Sequence, residues 1–193
     1  MGDPAPRQAT YEDVLAAPAH QVAEIVAGEL RLSPRPSGPH AAAASALGEE
    51  LGPPFKRGRN GPGGWIILFE PEVHLAADIV VPDLGGWRRT RLPAVPNAPF
   101  FTLAPDWVCE VLSPGGAKTD RADKLPIYAR EGVVHVWLVH PLEHTLECLR
   151  LEGSRYTILG VWRDAARLRA APFEAIELDL ALLWADVERE PGR

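Results

Sequence analysis

Two acidic residues, Asp83 and Glu110, lie in apolar surroundings where a carboxylate needs compensation. Asp83 closes the run DIVVPD at 78–83, and Glu110 interrupts WVCEVL at 107–112, whose apolar residues predict a strand buried on both faces. An ionised carboxylate is costly to bury unless it is paired or bound to a metal. If the two strands are neighbours, both carboxylates converge on one point, where a divalent cation would compensate them. Magnesium suits this arrangement, because it usually takes one or two carboxylates and keeps its other positions for water and phosphate oxygens.

Two lysines that follow Glu110 in the chain would complete this chemistry. The ammonium of Lys118 or that of Lys124 could orient an attacking water or offset charge that develops on a phosphate. The residues alone leave structural alternatives open. Asp83 could bond to turn amides, Glu110 could pair with an arginine from the segment 86–91, and both lysines could be solvated.

The elements that must position these residues are predicted from periodicity and turn residues. Thr10 caps a short helix that ends by Pro18, and a hairpin turns at Ala27-Gly28. The alanine-rich segment 40–51 predicts a helix, 52–64 a loop, and 65–75 and 77–83 two strands. A helix is predicted over 120–130, capped by Thr119 or Asp120 and kinked by Pro126. A buried strand at 133–141, a hairpin over 145–162 and a short strand or helix at 176–184 follow.

Composition predicts an ordinary globular protein rather than a membrane or secreted one. The chain has 193 residues, of which 46% are hydrophobic and 24% charged, so we expect one domain over 1–193 with its core at about 10–185. No apolar run is long enough to cross a bilayer, and the first residues lack a secretory layout, which predicts a cytoplasmic protein. Cys109 and Cys148 are expected to be buried, reduced thiols. The six histidines show no zinc spacing, and the tryptophans near the strands are expected in the core.

The charge pattern bears on nucleic-acid binding. The net charge of −6 would repel DNA at long range unless basic residues cluster. Two segments, KRGR at 56–59 and WRRTR at 87–91, would supply phosphate contacts if they flank one cleft. The DNA-binding candidates are therefore Lys56, Arg57, Arg59, Arg88, Arg89 and Arg91.

Several motifs in order carry a resemblance to a known family. They are YEDVLA at 11–16, AEIVAGEL at 23–30, SGPH at 37–40, VVPDL at 80–84, CEVLSP at 109–114, TDRADKLPIYAREGV at 119–133 and VWLV at 136–139. From about Tyr11 to Trp184 the chain resembles the Uma-two family of restriction endonuclease-like proteins, a branch of the PD-(D/E)XK nuclease superfamily. The resemblance implies an α/β fold with a restriction-endonuclease-like mixed central β-sheet flanked by helices. An N-terminal helix and hairpin and a C-terminal β-hairpin complete the expected fold.

The resemblance also implies a site and a function. Asp83 and Glu110 would be catalytic and hold Mg²⁺, with Mn²⁺ as substitute, and the carbonyl of Val111 would be a further ligand. Lys124 would be the catalytic lysine, moved from the strand to the following helix. Glu24, His40 and Lys118 would belong to an outer part of the site, although for His40 a capping or packing role is the preferred interpretation.

The implied activity is endonucleolytic hydrolysis of DNA, by a protein expected to form homodimers. Three departures from the family pattern favour an alternative. Gly115-Gly116-Ala117-Lys118 replaces a Ser-Thr stretch, and His135 and His140 replace acidic residues. The alternative is a catalytically inactive nuclease fold that serves as a DNA-binding or protein-interaction module.

Overall fold

The structure is a computed structural model that describes residues 7–113 and 120–188. The described residues form a four-stranded sheet, a six-stranded mixed sheet and a two-stranded pair near the C-terminus. Few helices flank the larger sheet. This architecture confirms the predicted α/β fold class.

The strands of the described residues are numbered along the chain. They are β1 (Gln21–Val26), β2 (Glu29–Pro34), β3 (Trp65–Phe69), β4 (Val73–Leu75), β5 (Asp78–Val80), β6 (Leu84–Arg88), β7 (Trp107–Val111), β8 (His135–His140), β9 (Thr145–Glu152), β10 (Arg155–Arg163), β11 (Arg167–Leu168) and β12 (Leu178–Asp179). The helices are α1 (Tyr11–Leu15), α2 (Gly38–Leu51) and α3 (Leu125–Arg130), with π-helical turns at Gly52–Lys56 and Asp120–Lys124 and a 3₁₀ turn at Leu180–Trp184.

The order of the strands places β7 and β8 at the centre of the larger sheet. The four-stranded sheet has the order β2-β1-β5-β4, and the six-stranded sheet has the order β10-β9-β8-β7-β6-β3. Strands β7 and β8 run parallel, whereas β6 and β7 are antiparallel. The β7 strand is therefore internal, which agrees with the full burial of its five residues.

Side chains on β7 alternate between two cores on opposite faces of the six-stranded sheet. Trp107, Cys109 and Val111 pack in the core that includes α2 and the C-terminal segment. Val108 and Leu112 pack in the core that includes α3 and the smaller sheet. Because successive residues of a strand point to opposite faces, Glu110 belongs to the second face.

Most of the predicted elements are confirmed, each with a local cause. Asp13 and Thr10 form a capping box at the start of α1. Ala27 and Gly28 have φ of 54° and 82°, so the β1–β2 hairpin turns through two residues in the left-handed region. The β9–β10 hairpin forms as predicted, with a bulge near Leu159. Both cysteines are buried and free.

Two expectations about the central segments are wrong, and a strand directly after Asp83 was not predicted. The helix continues past Leu51 as the π-helical turn Gly52–Lys56, where a loop was expected. The predicted strand at 65–75 is broken into β3 and β4 around Glu70, whose φ is 43°. The segment after Asp83 forms strand β6, which the glycine pair concealed from a propensity argument. Those glycines fit because the faces are crowded: a Cβ on Gly86 would lie 2.9 Å from Trp107 Cε3.

The tryptophans expected in the core are there: Trp65, Trp87, Trp107 and Trp137 are at most 3% exposed. In the described ranges, no helix combines the length and apolar character required to cross a membrane.

Candidate functional site

One cleft receives residues from both larger sheets. Its volume is about 480 Å³. Its lining consists of Val22, Glu24, Arg31, Leu32, Ser33, Pro34, Arg35, Pro36, Ser37, His40, Glu70, Val81, Asp83, Glu110, Val111, Ser113, Asp120 and Lys124. The inner part contains four acidic side chains, here called the acidic cluster: Glu24, Asp83, Glu110 and Asp120.

Asp83 and Glu110 meet through a strand that the sequence did not reveal. The condition that DIVVPD and WVCEVL form neighbouring strands is not met, because β5 belongs to the smaller sheet and β7 to the larger one. Asp83 instead immediately precedes β6, where Leu84 pairs with Cys109 in antiparallel register. Continuing that register by one residue sets Asp83 opposite Glu110, on the same face of the sheet. The convergence therefore arises from the β6–β7 pairing.

Both oxygens of Asp83 are held by hydrogen bonds. The backbone N–H of Val111 donates to Oδ2 at 2.7 Å, and Nε2 of His40 lies 2.7 Å from Oδ1. His40 reaches this position from the first turn of α2. The structure thus brings His40 to the site as a partner of Asp83 rather than as a cap of its helix.

Glu110 is almost completely buried, with 2% of its surface exposed. The hydroxyl of Tyr128 donates to Oε1 at 2.5 Å, and Lys124 Nζ lies 3.4 Å from the same oxygen. Burial raises the pKa of Glu110 well above its ordinary value; Lys124 opposes the shift, and the charges of Asp120, Asp83 and Glu24 add to it. Burial and the neighbouring carboxylates therefore disfavour the ionised form of Glu110 more than Lys124 favours it.

Lys124 is the internal counter-ion of the acidic cluster. Its Nζ lies 2.9 Å from Glu24 Oε1, 3.4 Å from Glu110 Oε1 and 3.5 Å from Asp120 Oδ1. Burial alone would lower the pKa of Lys124, but these three carboxylates raise it above its ordinary value. The solvated-lysine alternative is thus excluded, since the residue is only 5% exposed.

Glu24 and Asp120 complete the acidic cluster from other elements. Glu24 lies on β1, where its Oε1 also accepts a hydrogen bond from the Val81 N–H at 2.7 Å. Asp120 lies on the π-helical turn before α3, and burial raises its pKa, with Lys124 opposing and Asp83 and Glu24 adding. Sequence reasoning missed Asp120 and Tyr128 as site residues. Their spacing of four on either side of Lys124 is the signal that could have found them.

Magnesium fits the chemistry of this donor set. The acidic side chains offer hard oxygen donors, and four carboxylates face one lysine. Within residues 7–113 and 120–188, no group of three or more His, Cys, Asp or Glu side chains is arranged to hold a metal. A magnesium ion usually needs only one or two carboxylates, so Asp83 and Glu110 are sufficient in number.

The predicted DNA-binding residues lie away from the cleft. The two basic segments approach each other. Burial lowers the pKa of Lys56, and so do the nearby charges of Arg57 and of Arg89, which belongs to the other segment. Lys56 donates to the Ile67 carbonyl at 2.8 Å, and Arg88 lies over the Trp65 ring. Arg88 is five residues along β6 from Asp83, a separation of about 16 Å in an extended chain.

None of the six basic candidates lines the cleft. Arg57 and Arg59 are exposed, and Arg91 pairs with Asp106 at 2.9 Å. The six are called the distal basic residues below, and their contact with DNA stays a prediction. Lys118 and the altered stretch at 115–118 lie outside the described residues.

The basic residues that do line the cleft were missed by sequence reasoning. Arg31 and Arg35 stand on β2 and just after it, with side chains 38% and 56% exposed. Alternation along β2 is the only sequence signal for them, and it carries no information on which face meets the acidic cluster. His135 and His140, which replace acidic residues of the family pattern, do not line the cleft.

The fold is shared with a solved nuclease structure. That structure is a crystal structure of a protein from Anabaena variabilis ATCC 29413, described as a "putative nuclease belonging to DUF820". It is 23% identical in sequence, covers 92% of this chain and 98% of its own chain, and superposes with a TM-score of 0.74. The chain therefore shares the α/β fold of that structure.

The family follows from the sequence match. The model of the Uma-two family, described as "Putative restriction endonuclease", matches residues 9–182. The chain belongs to this family, which confirms the resemblance found in the motifs. The comparison with curated proteins found no match.

Proposed function

We propose that the chain is a metal-dependent endonuclease that hydrolyses phosphodiester bonds of DNA, with Mg²⁺ as cofactor and Mn²⁺ as substitute. The observation that carries the proposal is the meeting of Asp83, Glu110 and Lys124 in the inner part of one cleft, where four carboxylates surround one lysine. Membership of the Uma-two family supports the nuclease class.

Asp83, Glu110 and the carbonyl of Val111 would hold the cation. When bound, the cation would supply the Lewis acidity that activates a water and offsets charge on the scissile phosphate. His40 and the Val111 N–H fix the orientation of the Asp83 carboxylate through its two oxygens. Mutation of a residue that hydrogen-bonds to a metal ligand typically lowers metal affinity or activity by about ten- to a hundred-fold.

Lys124 would act as a fixed positive charge rather than as a base. The surrounding carboxylates raise its pKa, so the ammonium stays protonated at any working pH. A protonated lysine can donate a hydrogen bond to an attacking water or to a phosphate oxygen. Glu24 and Asp120 hold it in place from two different elements, β1 and the π-helical turn.

A plasmid-nicking assay tests this proposal. Wild-type protein should cleave DNA with Mg²⁺ or Mn²⁺ and not with EDTA, whereas Asp83→Asn and Glu110→Gln should lose about a hundred-fold or more in rate. Asp78→Asn is the matched control, because Asp78 is a 3% exposed acid that pairs with Arg130 and does not line the cleft. Calorimetric titration with Mn²⁺ should show uptake by the wild type that both cleft variants lack.

The outcomes separate the two classes of function. Metal-independent cleavage, or cleavage retained in both cleft variants, would refute the assigned chemistry. DNA binding without cleavage or metal uptake would favour the inactive module instead. The homodimer and the cytoplasmic location stay predictions; light scattering of the purified protein measures the first, and fractionation of the source cells the second.

A further inference from the structure

We infer that the DNA strand lies along the segment 31–37, here called the β2 wall, with Arg31 and Arg35 contacting phosphates beside the one that is cleaved. The inference rests on the proposed function, because it names where the substrate of that same cleft is held. It replaces the distal basic residues as the main source of phosphate contacts.

Strand register directs the β2 wall toward the acidic cluster. In the β1–β2 pair, Arg31 lies opposite Glu24 and Ser33 lies opposite Val22. Directly opposite residues of antiparallel strands share a face. All four of these residues line the cleft, and Leu32 and Pro34 on the other face of β2 line it as well, so β2 forms a wall of the site along this length. Arg35 continues the same alternation two residues further on and lines the cleft as well.

Positive and negative side chains are unevenly distributed in the cleft. The β2 wall contains two arginines, two serine hydroxyls and no acidic residue. The inner part contains the acidic cluster, whose one lysine already contacts three carboxylates, and Glu70 lies beside Arg35. Among the described lining residues, Arg31 and Arg35 are therefore the cations best placed to meet an anionic backbone, which the acidic cluster alone would repel.

Both arginines can exchange their present partners for phosphate. Arg31 lies 3.2 Å from Glu29 and 3.6 Å from Asp123, and Arg35 lies 3.7 Å from Glu70. Exposed ion pairs of this kind contribute only about 0–1 kcal/mol each. A phosphate offers a guanidinium a charge-assisted, often bidentate contact, which is stronger.

The spacing and position of the wall suit a nucleic-acid strand. Arg31 and Arg35 are four residues apart, or about 13 Å in an extended chain. A duplex strand advances about 3.4 Å per nucleotide, so the two arginines reach separate phosphates rather than the same one. β2 is also an edge strand of its sheet, so its outer side is open to a partner.

The salt dependence of DNA binding tests the inference. Binding of a fluorescent duplex oligonucleotide is measured by anisotropy in EDTA over a series of salt concentrations. Each phosphate contact contributes about 0.9 to the slope of log K against log salt. The double variant Arg31→Gln/Arg35→Gln should therefore lower the slope by about 1.8. Arg155→Gln/Arg163→Gln, two exposed arginines at the ends of β10, should leave it unchanged.

The rival surface is tested in parallel with Arg57→Gln/Arg59→Gln. A slope that falls in this variant and stays constant in Arg31→Gln/Arg35→Gln would overturn the inference. That result would assign the phosphate contacts to the distal basic residues. If wild-type protein cleaves plasmid and the β2-wall variant keeps both slope and KM, the inference fails while the proposed function stands. If the wild type neither binds nor cleaves DNA, both fail.

Discussion

Replacing Lys124 with methionine tests whether one ammonium compensates the acidic cluster. The side chain contacts Glu24, Glu110 and Asp120 and is only 5% exposed as a residue. Methionine keeps most of the apolar stem and removes the charge. Removal of one partner from a buried ion pair costs about 3–5 kcal/mol, because the other charges stay buried. We expect the free energy of unfolding at neutral pH in EDTA to fall by about this amount.

A dication should increase the free energy of unfolding of the Lys124→Met variant by more than it increases that of the wild type. Lys124 competes with any cation for the same carboxylates, so its removal should lower the Kd for Mn²⁺. A ligand at one hundred times its Kd stabilises the folded state by about 2.7 kcal/mol. Catalysis should nevertheless be lost, since the fixed positive charge is absent.

Urea denaturation with and without Mn²⁺ measures both effects. Lys56→Met is the matched control: its Nζ donates to the Ile67 carbonyl away from the cleft, so we expect a loss of about 1 kcal/mol and no change in the metal effect. Equal stability of wild type and Lys124→Met in EDTA would refute the electrostatic argument. Equal stabilisation of both by Mn²⁺ would refute the competition between the lysine and the cation.

Two further substitutions probe the site and the strand that brings it together. Because burial raises the pKa of Glu110, ionisation of this carboxyl destabilises the metal-free fold as pH rises above its unfolded pKa. Glu110→Gln should therefore raise the melting temperature in EDTA more at about pH 8 than at about pH 5. A gain in melting temperature that does not grow with pH would contradict this. Gly86→Ala places a Cβ 2.9 Å from Trp107 and should cost about 1–3 kcal/mol in denaturant unfolding, and full stability would mean that β6 and β7 are not packed as described.

The individual elements of the fold could be predicted because their signals are local. The cap at Thr10, the turn at Ala27-Gly28 and the buried run around Glu110 each depend on a few adjacent residues. The β6 strand could not be predicted in this way, because Gly85 and Gly86 have low strand propensity. Their place in the sheet depends on large side chains from Pro71, Trp87 and Trp107 that occupy the space beside them.

The site was predicted in its chemistry and partly missed in its membership. Lys124 was named as the catalytic lysine from the family motif, and Glu24 as an outer carboxylate; the structure places both within the acidic cluster, while their catalytic roles stay predictions. Asp120 and Arg31 were missed, because the spacing of Asp120 from Lys124 is informative only if Lys124 belongs to the site, and nothing near Arg31 distinguishes it from an ordinary surface charge. Their relevance comes from elements that are distant in the chain.

By itself, the sequence determined that a strand with one buried acid must find compensation for it, and its motifs determined the family. Only the tertiary structure decided that Asp83 meets Glu110 through β6, that Lys124 lies among three carboxylates, and that the distal basic residues do not line the cleft. The physical reason is that periodicity and turn chemistry act over a few residues. The pairing of strands depends on contacts between segments far apart in the chain, which no local pattern encodes.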